Sequence, residues 1–154
     1  MITTIVGTGE SGYNGDGVLG PDAALAGPSG LALDSEGNLY IADTFSSRIR
    51  KIDQKTGLIE TVLGGTGVYQ FVASQNESSE SLSRPYAIAI DINGCLFITD
   101  TDNHLIRVWD TQKREMSLLA GIGKAEFSSD GGNPSSSSLN YPFGVAVDLS
   151  LIHI

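Results

Sequence analysis

A 57-residue internal repeat constrains this chain more than any other feature. Pro28-Ser29-Gly30-Leu31-Ala32-Leu33-Asp34 returns as Pro85-Tyr86-Ala87-Ile88-Ala89-Ile90-Asp91, and again as Pro142-Phe143-Gly144-Val145-Ala146-Val147-Asp148, each time 57 residues on. Gly7, Gly64 and Gly121 keep the same step, as do Leu25, Leu82 and Leu139; Asp43 matches Asp100, Arg50 matches Arg107 and Asp53 matches Asp110. An unbroken period of this kind marks stacked supersecondary units, each of which needs its neighbours to bury an apolar face.

Within one unit, short β-branched runs alternate with Gly, Asn, Asp and Ser turns, which is how hairpins read in sequence. Strands are predicted at Gly30 to Asp34, Leu39 to Asp43, Arg48 to Asp53 and Ile59 to Gly64. No apolar period of 3.6 residues is sustained, so the chain is predicted to be all-β. Four antiparallel strands per repeat point to a propeller blade, with the small-residue strand innermost and Ile59 to Gly64 outermost. Full blades are expected at 28–64 and 85–121. Residues 2–7 are expected to form the outer strand of a preceding blade, and 142–154 to begin a truncated one. The connectors Thr8 to Gly27, Gly65 to Arg84 and Ile122 to Tyr141 are long and polar.

Gly12-Tyr13-Asn14-Gly15-Asp16-Gly17, Gly37-Asn38-Leu39-Tyr40-Ile41-Ala42-Asp43-Thr44 and Arg48-Ile49-Arg50-Lys51-Ile52-Asp53 together resemble the NHL repeat in its extended bacterial form, and the second unit carries Asn103-His104-Leu105 itself. The resemblance covers residues 2 to 148. It implies a β-propeller, incomplete in this chain, whose remaining blades belong to a larger protein. There are departures. Val68 to Ser81 lacks the Gly-Asp-Gly element, Ser46 stands where Asn103 predicts an Asn, and register predicts Gly where Leu151 stands. Leu149 to Ile154 is therefore expected not to continue the fold.

Charge and composition narrow the function. The net charge of −9 disfavours a phosphate backbone as partner, and Arg48, Arg50 and Lys51, the tightest basic cluster, are expected on a solvated face. Cys95 stands alone, so it has no partner in the chain for a disulfide, and its apolar setting suggests a small buried hydrophobe. No run reaches the roughly 18 apolar residues of a membrane helix. Asn76-Glu77-Ser78 is a glycosylation sequon, and exported relatives of the resembling family lean the location towards extracytoplasmic.

Asp43 with Arg50, and Asp100 with Arg107, are expected to form a structural latch inside each blade, because a four-residue turn sets each pair diagonally across two strands. Asn14-Gly15-Asp16-Gly17 and Asp130-Gly131-Gly132-Asn133 lack the ligand spacing of a calcium loop and read as turns. His104 and His153 are the only histidines, too few for a His-ligated zinc site, and His104 is expected to be exposed in its turn. No catalytic set, cofactor or metal is therefore assigned. The expected function is non-catalytic binding of a protein or extended polymer. The loops expected to carry it are Thr44, Phe45, Ser46, Ser47 and Thr101, Asp102, Asn103, His104. The alternative is a piece of a propeller enzyme of the axial-metal lyase or lactonase type, with its catalytic residues in other blades.

Overall fold

The computed structural model describes residues 1–65 and 81–148. Residues 66–80, the sequon among them, and 149–154 lie outside them. The described residues form two four-stranded antiparallel sheets in the orders β1-β2-β3-β4 and β5-β6-β7-β8. The first holds β1 (Pro28–Leu33), β2 (Leu39–Asp43), β3 (Arg48–Ile52) and β4 (Ile59–Gly64). The second holds β5 (Pro85–Ile90), β6 (Cys95–Asp100), β7 (Leu105–Asp110) and β8 (Glu115–Ala120). Each sheet is one propeller blade. The helical turns among the described residues are 3-10 turns of three residues, and none is long and apolar enough to cross a membrane.

The strand edges differ from the sequence reading for a local reason. β1 starts at Pro28, a first-strand position where a missing N–H does no harm. It stops before Asp34, whose carboxylate accepts the backbone N–H groups of Glu36 and Asn38 and so bends the chain into the β1–β2 turn. Asp91 does the same for Asn93 and Cys95. Asp53 and Asp110 close the β3–β4 and β7–β8 turns on Thr56 and Lys113. The repeated aspartates are thus turn formers, each satisfying N–H groups that no strand reaches.

Alternation along β2 and β6 sorts the core. Tyr40 and Ala42, with Ile49 and Leu63, pack against Ile88, Leu96, Ile98, Trp109 and Met116 of the second blade and Leu82 of the crossover before it. The opposite face of the first blade, Ile41, Ile52 and Ile59, is covered by Ala23 and Leu25 of its own leading crossover. The inner strands crowd closest. A Cβ on Gly30 would lie 2.7 Å from the Tyr86 carbonyl oxygen, so that position in β1 leaves no room for a side chain against β5.

Residues 2–7, expected to be the outer strand of a preceding blade, are assigned to no strand, and no described residue belongs to that blade. An outer strand needs a third strand to bond to, and no described residue supplies one; Gly7 N–H instead bonds the Gly20 carbonyl. Residues 142–148 likewise pair with no strand, although Pro142 is docked on the second blade. Cys95 is only half-buried as a residue, and partial burial, with Asp91 and Asp110 nearby, pushes its thiol pKa up.

Candidate functional site

In β2 and β3, Asp43 faces Arg48 and Ile41 faces Arg50, which places Arg50 diagonally from Asp43. Both side chains are fully buried, with Arg50 Nη1 3.8 Å from Asp43 Oδ2. In the second blade the pair is tighter: Arg107 Nε lies 2.9 Å from Asp100 Oδ2. Each aspartate also holds two further elements. Asp43 Oδ1 accepts the Ala26 N–H at 2.6 Å, and Asp100 Oδ1 accepts the Ser83 N–H at 2.7 Å, anchoring the end of the leading crossover. The other oxygen takes its own turn, from Ser46 Oγ in one blade and Asn103 Nδ2 in the other. Serine therefore substitutes for asparagine at position 46 because a single donor is all the aspartate requires.

The first blade divides its arginine between two acids. Arg50 Nη2 reaches Asp16 Oδ1 at 3.1 Å and the Gly15 carbonyl at 2.8 Å, and the guanidinium sits 4.8 Å from the Tyr13 ring centre. Arg48 lies over the same ring at 4.0 Å. The basic cluster is therefore not a solvated face: Arg50 is 0% exposed and Arg48 is partly covered. A buried guanidinium must find acceptors or aromatic faces, and the Gly-rich loop supplies both. Lys51, by contrast, pairs with Glu60 at the surface.

The two candidate loops are mostly interior. Thr44, Thr101, Asn103 and His104 are buried. The hydroxyls of Thr44 and Thr101 donate to the carbonyls of Pro85 and Pro142, each at 2.8 Å, tying each blade to the next inner segment. His104 is 4% exposed, which corrects the expectation of an exposed turn histidine. It adopts φ 57°, its Nδ1 accepts the Tyr141 N–H at 3.1 Å, and its ring meets Tyr141 edge-on at 4.4 Å. Ser47 plays the same part for Arg84, accepting its N–H at 3.3 Å. What faces solvent is Phe45, with Arg84 5.3 Å over its ring and Arg84 Nη1 3.6 Å from Asp102. At the same end of the blades, Tyr86 and Phe143 meet edge-on at 4.8 Å. Arg84, Tyr86 and Phe143 were missed in sequence. The signal for Tyr86 and Phe143 was the second position of the inner strand, which reads Ser29, Tyr86, Phe143, and for Arg84 the position before that strand's proline, which reads Gly27, Arg84, Tyr141.

Ionisation of the exposed turn aspartates gives a pH slope with a definite sign. Backbone N–H donors, Thr56 first for Asp53 and Lys113 first for Asp110, hold both carboxyls below the usual range. Their contribution is present above the unfolded pKa of about 4 and is lost as pH falls through the folded value. Burial pushes Asp100 up, against the pull of Arg107, so its contribution runs the other way and is lost as pH rises through its folded value. Melting followed from pH 7 to pH 3 is expected to show a falling midpoint that Asp53→Asn and Asp110→Asn flatten. An unchanged slope in the double variant would assign the acid limb elsewhere.

Among the described residues no three His, Cys, Asp or Glu side chains gather as a metal set. The teneurin NHL domain family matches residues 4–75. The chain is 38% identical over 104 residues to the chloroplastic protein Suppressor of Quenching 1 of Arabidopsis thaliana, which covers 68% of this chain and 10% of that protein. It is 31% identical over 134 residues to NHL repeat-containing protein 2 of Bos taurus, covering 81% of this chain and 18% of the relative. A solved structure of a protein of unknown function from Bacteroides thetaiotaomicron superposes with a TM-score of 0.52 at 25% identity, over 73% of this chain and 26% of that one. The chain belongs to the NHL-repeat β-propeller family. It spans less than a fifth of the length of these two curated relatives. In this NHL propeller the Asn-His-Leu tripeptide closes the β6–β7 turn and ties it to the following segment: Asn103 holds Asp100, His104 holds Tyr141, and Leu105 opens β7.

Proposed function

We propose that this NHL propeller acts as a non-catalytic binding module, meeting a protein partner at the end of the blades where β1 and β5 begin. The observation that carries this is the set of exposed aromatic side chains there: Phe45 under Arg84, and Tyr86 against Phe143. Large apolar side chains grouped at a surface mark interaction sites more often than scattered ones do. Aromatics and arginine are the residues that interfaces enrich. The Thr44–Ser47 and Thr101–His104 turns take part through Phe45 and Asp102, while their buried members hold the exposed ones in place. The acidic chain favours a neutral or basic partner.

Titration of the full chain against a captured partner tests the reading. Phe45→Ala and Tyr86→Ala are each expected to weaken binding by about 1–2 kcal/mol or more with the melting midpoint kept, as truncation of an interface anchor does. Binding that survives both substitutions would remove this surface from the function. Metal-dependent turnover of a small molecule by the whole protein would replace the reading with an enzymatic one.

A further inference from the structure

The crossovers that lead into the repeats have equal length, and the first is matched in composition to what it covers. In the first, Tyr13 lies against Arg48 and Arg50, and Asp16 takes both Arg50 and the Thr61 hydroxyl. One period on, Tyr13 and Asp16 are replaced by Gln70 and Ala73, and Arg48 by Leu105. At these register positions the aromatic, the acid and the first arginine are all absent, although Tyr69 and Phe71 flank position 70. Two periods on, the aromatic and the acid are both present again, as Phe127 and Asp130.

The third crossover also takes the path of the first. Ala125 bridges Leu139 as Ser11 bridges Leu25, and Ser128 Oγ accepts the Ser138 N–H as Asn14 Oδ1 accepts that of Ala24. The clasp is formed, yet Phe127 is 87% exposed and Asp130 is exposed beside it. The inter-blade contact continues into the same segment, because Thr101 holds Pro142 as Thr44 holds Pro85.

We propose that Phe127 and Asp130 form a docking surface for a further blade whose third strand carries two arginines at alternate positions, seated as Arg48 and Arg50 are on Tyr13 and Asp16. Charge and ring face select this occupant: a carboxylate and an aromatic ring held by a preformed loop match guanidinium groups by ion pairing and ring contact, as Asp16 and Tyr13 do. The proposal does not rest on the binding reading above, which concerns other residues.

The test builds the occupant onto the chain. Residues 35–64 joined directly after Asp148, in place of 149–154, continue the repeat in register and supply copies of Arg48 and Arg50. A companion graft of residues 92–121 supplies Leu105 and Arg107 instead. Amide exchange across 125–139 is expected to slow in the first graft relative to the ungrafted chain. Its melting midpoint should lie above the companion's by about 2–4 °C or more. Phe127→Ala with Asp130→Ala should erase that difference and leave the companion unchanged. The proposal is overturned if the two grafts melt together, if 125–139 is no better protected in the first graft than without it, or if the double substitution lowers both grafts alike. A graft that stays unstructured gives the second of these results.

Discussion

Asp100→Ala is expected to destabilise the chain by about 3–5 kcal/mol, because it breaks a buried ion pair whose atoms stand 2.9 Å apart. The same substitution strips the Ser83 N–H and the Asn103 side chain of their acceptor, so the crossover end and the β6–β7 turn loosen together. Asp43→Ala should cost less. The partner Arg50 loses was already 3.8 Å away, against 2.9 Å between Arg107 and Asp100. Asp100→Ala combined with Arg107→Met should recover only the part due to the buried charge, since the Ser83 N–H and the Asn103 side chain stay without their acceptor. Denaturant midpoints of the four chains measure this order. A loss below about 1 kcal/mol for Asp100→Ala would mean the pair behaves as an exposed one. A partner lost while stability held would give these residues a binding role in place of a structural one.

What could be read in advance was whatever the repeat imposes on every unit. Strand positions, the two four-stranded sheets and the diagonal of Asp43 and Arg50 follow from alternation and turn length, which are local in the chain. The misreadings share a different cause. Arg50 in a basic triplet and His104 in a turn both look solvated on composition, yet both are buried by segments far off in sequence, the Gly-rich loop at Tyr13 and Asp16 and the Tyr141 region. Ser46 looked like a departure because residue type was compared, whereas the aspartate selects only for a donor. The exposed aromatics were hardest to see. Ser29, Tyr86 and Phe143 occupy one register position, and only the folded chain puts two of them side by side at the surface.

Trp109→Ala is expected to cost about 3–5 kcal/mol, the range for emptying a large aromatic from a packed core. Trp109 is 2% exposed, stands between Leu96 and Met116 across β6 and β8, and packs in the same cluster as Tyr40, Ala42, Ile49 and Leu63 of the first blade. The cavity would therefore open inside the inter-blade core and not within one sheet. In a repeat array stability is shared between units and their interfaces, so a loss at the interface must appear in both blades. Amide exchange should accelerate in β2 and β3 as well as in β6 and β7. The repeat itself supplies the control. Ile52 holds the equivalent place in the first blade, so Trp109→Ile places there an apolar residue larger than alanine and suited to a strand, and should lose less than the alanine variant. If exchange in β2 and β3 stayed at the wild-type rate while β6 and β7 opened, the two blades would be independent sheets that happen to touch, and the inter-blade core would not be what holds the chain together.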